Sequence, residues 1–179
     1  LNSDNFIFGA TQLAVNAAPR AGGGYRVDLM GPSLDLRAFV PHLLDQGTSI
    51  EEPPLDLKLQ IDRVYLTDDV VLHRLAGTGL RVGGEWQTAN MRAGLVEGQT
   101  VGFTVRGEGS GMGRGRRFMV AAGDAGGMAR ALGLYPDARG GTLFLNFLVL
   151  GTNAPGAPTR DTITGTLRAD NFSVVKAQV

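Results

Sequence analysis

From Leu55 the chain reads LDLKLQID, which puts Leu55, Leu57, Leu59 and Ile61 on one side of an extended segment and Asp56, Lys58, Gln60 and Asp62 on the other. A period of two is the mark of a strand with one dry and one wet face. The period returns, more loosely, at Tyr25, Val27 and Leu29, at Val101, Phe103 and Val105, and at Ile163 and Leu167 with Gly165 between them. These segments are expected to be successive antiparallel strands. From Leu143 to Leu150, a stretch that includes Leu145 and Phe147, every position but Asn146 is apolar. Such a run predicts a central strand covered on its second side, the short helix that precedes it being the nearest cover.

Helical patterning is sparse. Ser33 followed by LDLRAFVPHLLDQG offers a cap, apolar residues at Leu36, Phe39, Val40, Leu43 and Leu44, and Gly47 as a stop, with Pro41 set to kink it. A second helix is expected near 124–134: Asp124 caps it, Gly133 ends it, and Gly140-Gly141 turns the chain into the Leu143 strand. So short and apolar a helix must lie on the sheet, with Met128, Leu132 and Leu134 as its expected contacts. Residues 48–54 hold Glu51, Glu52 and two prolines and read as a linker. It divides a smaller β-plus-helix unit or repeat, 1–52, from a larger β domain, 53–179.

Composition agrees with many short strands. The 27 glycines in 179 residues are about twice the usual share, fall mostly between apolar runs as turn residues do, and follow no three-residue period. Lys plus Arg and Asp plus Glu are 17 each, so no net field draws the chain to nucleic acid. Cysteine is absent, which excludes disulfides and thiolate chemistry. No apolar run is long enough to span a membrane as a helix. A start at Leu1 without a signal pattern reads as a piece of a larger protein.

The search for catalytic chemistry returns little. His42 and His73 have no metal-ligand spacing, so neither a metal nor a cofactor is expected. The tract GEGSGMGRGRR, 107–117, satisfies neither a GxGxxG register nor a P-loop and reads as a hairpin connection, although Arg114, Arg116 and Arg117 could touch lipid phosphates. Ser173-Val-Val-Lys176 and Ser3-Asp4-Asn5 imitate triplets of penicillin-recognising serine enzymes, but in the wrong order and without KTG. Asp68-Asp69 and Glu51-Glu52 read as solvated turns, and Trp86, after Gly83-Gly84, as a strand residue beside a turn. An enzyme is not expected.

One stretch carries a family resemblance. The run Asp124 to Tyr135 (DAGGMARALGLY), then Arg139-Gly-Gly-Thr-Leu143, then Gly165 to Ala177 (GTLRADNFSVVKA) resembles the carboxy-terminal region of the AsmA-like superfamily, above all its large YhdP-type members, relatives of TamB. Asn171 stands before Phe172, and Gln178 stands where the pattern has proline. The resemblance covers about 118–177. It implies the periplasmic part of a Gram-negative envelope protein, anchored in the inner membrane, that binds or conducts phospholipid along an apolar β-groove toward the outer membrane.

The expected fold is therefore mainly β: an antiparallel curled sheet, as open groove, half-barrel or sandwich, with one or two short helices. Candidate groove-lining residues are Leu55, Leu57, Leu59, Ile61, Val101, Phe103, Val105, Leu145, Phe147, Ile163 and Leu167. Their alternation fits a filled core as well as an open groove. The alternative function is a structural or interaction module of the envelope that touches no lipid.

Overall fold

A computed structural model describes residues 2–38, 53–95, 98–108, 115–131, 133–151 and 161–175. The strands are β1 (Asn2–Phe8), β2 (Thr11–Pro19), β3 (Tyr25–Asp35), β4 (Leu55–Tyr65), β5 (Val71–Val82), β6 (Glu85–Gly94), β7 (Thr100–Glu108) and β8 (Gly115–Ala122). Helix α1 (Ala125–Ala131), β9 (Ala138–Arg139), β10 (Thr142–Gly151), β11 (Asp161–Asp170) and β12 (Ser173–Val174) follow. Ten strands make one sheet in the order β1-β2-β3-β4-β5-β6-β7-β8-β10-β11, and β9 and β12 pair separately. The fold is mainly β, with a large, mostly antiparallel sheet that does not close into a barrel.

Every neighbouring pair in the large sheet is antiparallel except β3 and β4, which run parallel from Tyr25↔Leu55 to Asp35↔Tyr65. A parallel pair needs a crossover, and the expected boundary near residue 52 falls within it; the sheet itself runs on across the seam. The helix expected after Ser33 is corrected at its start: Ser33 is a buried strand residue, and the Leu36 amide donates to the Tyr65 carbonyl at 2.9 Å. The ladder to β4 overrides the helical spacing there. Pro32 is tolerated because it sits at a bulge in the pairing with β2, where a missing N–H costs no ladder bond. Residues 39–47 of that expected helix lie outside the described residues.

Residues opposite one another in a ladder point to the same face, so register alone sorts the side chains. One row reads Val15, Leu29, Leu59, Gly77, Met91, Phe103, Val120, Leu145, Leu167 across nine strands. The next row, on the other face, reads Asn16, Asp28, Lys58, Thr78, Asn90, Thr104, Met119, Asn146, Thr166. Along these two rows one face is dry throughout and the other wet at every position but Met119. Ile61 and Val105 on the dry face are 1% exposed, although a flat single layer would leave them in water. The sheet curls, so the dry face is concave and its own neighbours cover these side chains.

Helix α1 closes one end of that concavity. Asp124 caps it, its Oδ1 accepting from the Gly127 amide at 2.8 Å. The amides of Ala125 and Gly126 donate to the carbonyls of Gly141 and Gly140, both at 2.9 Å, so the first turn rests on the Gly-Gly turn. Gly133, in the left-handed region at φ 68, ends it. Met128 packs against the core cluster that contains Ile61, Ala93, Val101 and Ala122.

Of the other expected contacts, Leu134 is exposed, because the chain leaves the helix axis at Gly133, and Leu132 lies outside the described residues. The expected cover over β10 also differs. The helix lies at the end of the dry face, Phe144 on the wet face is exposed, and β10 stands next to the edge strand β11 rather than in the middle.

The helix docks through its glycines. A Cβ on Gly126 would lie 2.5 Å from Arg139 Cα, a backbone atom that cannot swing away. Gly126→Ala is expected to lower unfolding stability by about 1–2 kcal/mol, the overpacking cost exceeding the helix-propensity gain of up to about 1 kcal/mol. Urea denaturation measures it; a stabilised variant would mean that α1 is not seated on β9.

Candidate functional site

All eleven candidate groove residues share the dry face, and their burial grades across it. Leu59, Ile61, Val101 and Val105 are buried; Leu55, Leu57, Phe103, Leu145 and Phe147 are half-buried; Ile163 and Leu167 on β11 are 65% and 70% exposed. The closed end, under α1, is an ordinary packed core. Toward β11 the apolar face is open among the described residues.

Between the two lies a band of aromatic rings. Phe118 stacks on Phe147 with centroids 5.0 Å apart and planes within 4°, and Phe103 tilts toward Phe118 at 6.5 Å. Such contacts make a smooth apolar floor. Trp86, opposite Arg81 at the start of β6, also belongs to the dry face: a Cβ on Gly79 would lie 2.5 Å from its ring. Gly79 is thus a mid-strand floor position that the indole covers, where a turn residue would be expected from composition alone.

Several dry-face residues escaped sequence reasoning: Val15, Met91, Phe118 and Val120 sit in segments whose alternation is broken by Gly, Arg or Ala. Their signal lies in cross-strand register, which no single segment carries.

The GEGSGMGRGRR tract joins β7 to β8, with Glu108 in register with Gly115; residues 109–114 lie outside the described residues. Strand alternation sends its last two arginines to opposite faces. On the wet face Arg117 is paired to Glu108, with Nη2 2.9 Å from Oε2, and donates to Asn146 Oδ1 at 2.9 Å. The guanidinium holds the Glu108 carboxyl below its usual range. Arg116 lies on the dry face, 5.9 Å from the Phe118 ring centroid, with Nη2 donating to Glu85 Oε1 at 2.9 Å. Arg114 lies outside the described residues.

Candidate chemistry elsewhere stays dispersed. His73 sits on β5 in register with Arg63, and His42 lies outside the described residues. Among the described residues no group of three or more His, Cys, Asp or Glu could hold a metal ion, and no helix is long and apolar enough to cross a membrane. Ser173 is an exposed residue of β12, and Asp68 is an exposed turn residue paired with Arg37 at 2.6 Å. No family model, curated protein or solved structure matches the chain.

What the site offers is solvation of a different kind from water. Each methylene buried on a dry surface is stabilised by about 0.8 kcal/mol, so an alkyl chain of a dozen carbons would gain several kcal/mol along the floor.

Proposed function

We propose that this chain is a lipid-binding or lipid-conducting segment of an AsmA-like envelope protein, holding phospholipid acyl chains against the concave face of its sheet. The observation that carries the reading is the nine-strand apolar row, backed by a polar row and, among the described residues, left without a covering layer toward β11, where Ile163 and Leu167 are exposed. The resemblance over 118–177 supports the same reading and adds its setting. The segment lies in the periplasm of a Gram-negative bacterium, its parent is anchored in the inner membrane, and the lipid is destined for the outer membrane. No catalytic group is required: the free energy of transfer comes from burying methylenes.

Native mass spectrometry of the purified chain, incubated with mixed phospholipids, is expected to retain one or more bound lipids. A spectrum of lipid-free chain at all lipid concentrations would contradict the reading.

A second reading, an interaction module without lipid, draws on the sheet edges. Among the described residues β1 and β11 each have a single strand neighbour, and Ile7 and Phe8 on β1 are exposed. An open edge with apolar side chains invites strand addition by a partner. Concentration-dependent assembly of a chain that takes up no lipid would favour it.

A further inference from the structure

An arginine on the dry face of a strand needs a reason, because burial strips water from the guanidinium, and the Phe118 ring 5.9 Å away offsets that loss only in part. Arg116 is in register with Gly107 on β7 and Val149 on β10, and shares the dry face with Phe118. Its side chain is only 16% exposed, whereas that of its partner Glu85 is 53% exposed. The cation is therefore held against the aromatic floor, and the counter-ion stands half in water. A half-solvated ion pair contributes little to stability, so another oxyanion can replace Glu85 at small cost. Space for one exists nearby: a Cβ on Gly107 would meet nothing within 4 Å.

The two ends of the dry face are thus unlike. The end under α1 is closed and mostly apolar; the end where β6 begins and β8 begins carries Arg116 and, opposite Leu55 and Trp86, Arg81. That polarity matches an amphiphile lying lengthwise, its tails along the Phe103, Phe118 and Phe147 floor and its head at Arg116. The planar guanidinium presents paired N–H donors that fit a phosphate. We propose that Arg116 receives the phosphate of a phospholipid lying in the groove, with Glu85 as the exchangeable counter-ion. This rests on the lipid-binding reading and adds head-group selection and a fixed direction of the bound molecule.

Trp86, the chain's single tryptophan, is on the same face and reports binding by its fluorescence. The purified chain is titrated with dioctanoyl-phosphatidylglycerol and with dioctanoylglycerol, which has the same tails and no phosphate. The wild type should bind the phospholipid at least ten times more tightly. Arg116→Gln should bring that ratio near one, Arg116→Lys should keep most of it, and Glu85→Gln should raise phospholipid affinity several-fold. Arg117→Gln, on the wet face, should keep the wild-type ratio. A ratio that survives Arg116→Gln would overturn the head-group site and leave the groove standing; no binding of either lipid would overturn the groove reading and this site with it. Inorganic phosphate at millimolar concentration should not displace the phospholipid, and displacement would mean a free-anion site instead.

Discussion

Ile61→Ala is expected to lower the free energy of unfolding by about 3 kcal/mol, within the range of about 2–5 kcal/mol typical of truncating a buried isoleucine. Ile61 is 1% exposed and belongs to the cluster with Val64, Leu72, Ala93, Leu95, Val101 and Ala122 at the end closed by α1. Among the described residues the sheet has no second layer that could slide in to refill the void, so the cost should lie well above the bare transfer term. Leu57→Ala, on the same strand and face but half-buried, should cost less than half as much. Equilibrium urea unfolding with an unchanged slope makes the comparison. Equal costs at the two positions would mean that stability is spread along the dry face and not concentrated under the helix. A domain whose total stability is about 5–15 kcal/mol would feel the loss strongly.

The second large effect falls on binding. Ile163→Asp combined with Leu167→Asp places two carboxylates on the open part of the dry face, at positions already 65% and 70% exposed. Because neither side chain is buried, unfolding stability should change by no more than about 0.5 kcal/mol per site. An acyl chain lying across β11 would have to desolvate those charges, and phospholipid affinity should fall at least ten-fold, which corresponds to about 1.4 kcal/mol. Thr164→Asp with Thr166→Asp adds the same charge to the wet face of the same strand and should leave affinity as it was. Equal effects of the two pairs would place the lipid outside the groove.

The sequence disclosed faces better than it disclosed neighbours. LDLKLQID states its two sides outright, and the structure keeps Leu55, Leu57, Leu59 and Ile61 on the dry one. Asp124, Gly133 and Gly140-Gly141 likewise announce a capped helix seated on a turn. The glycines divide: Gly83 and Gly84 make a turn as composition suggests, whereas Gly77 and Gly79 stand in mid-strand beneath Met91 and Trp86. Nothing in the local sequence separates those roles, because the reason lies one strand away.

Two misreadings have a physical source. After Ser33 a helical spacing of apolar residues competed with a parallel ladder that no local pattern reveals. Leu143–Leu150 looked covered on both sides, yet hydrophobic composition does not prove cover, and Phe144 stands in solvent. Arg116 and Arg117 show the same limit: adjacent and chemically identical, they reach opposite faces and opposite surroundings.

Photo-crosslinking from adjacent residues of β10 locates the lipid. Leu145 is on the dry face opposite Leu167, and Asn146 is on the wet face opposite Thr166. With benzoyl-phenylalanine at 145, at 146 or at 147 in turn, and phospholipid present, adducts should form from 145 and 147 and not from 146. Equal labelling from 146, or no lipid adduct from any of the three, would contradict a lipid-bearing groove.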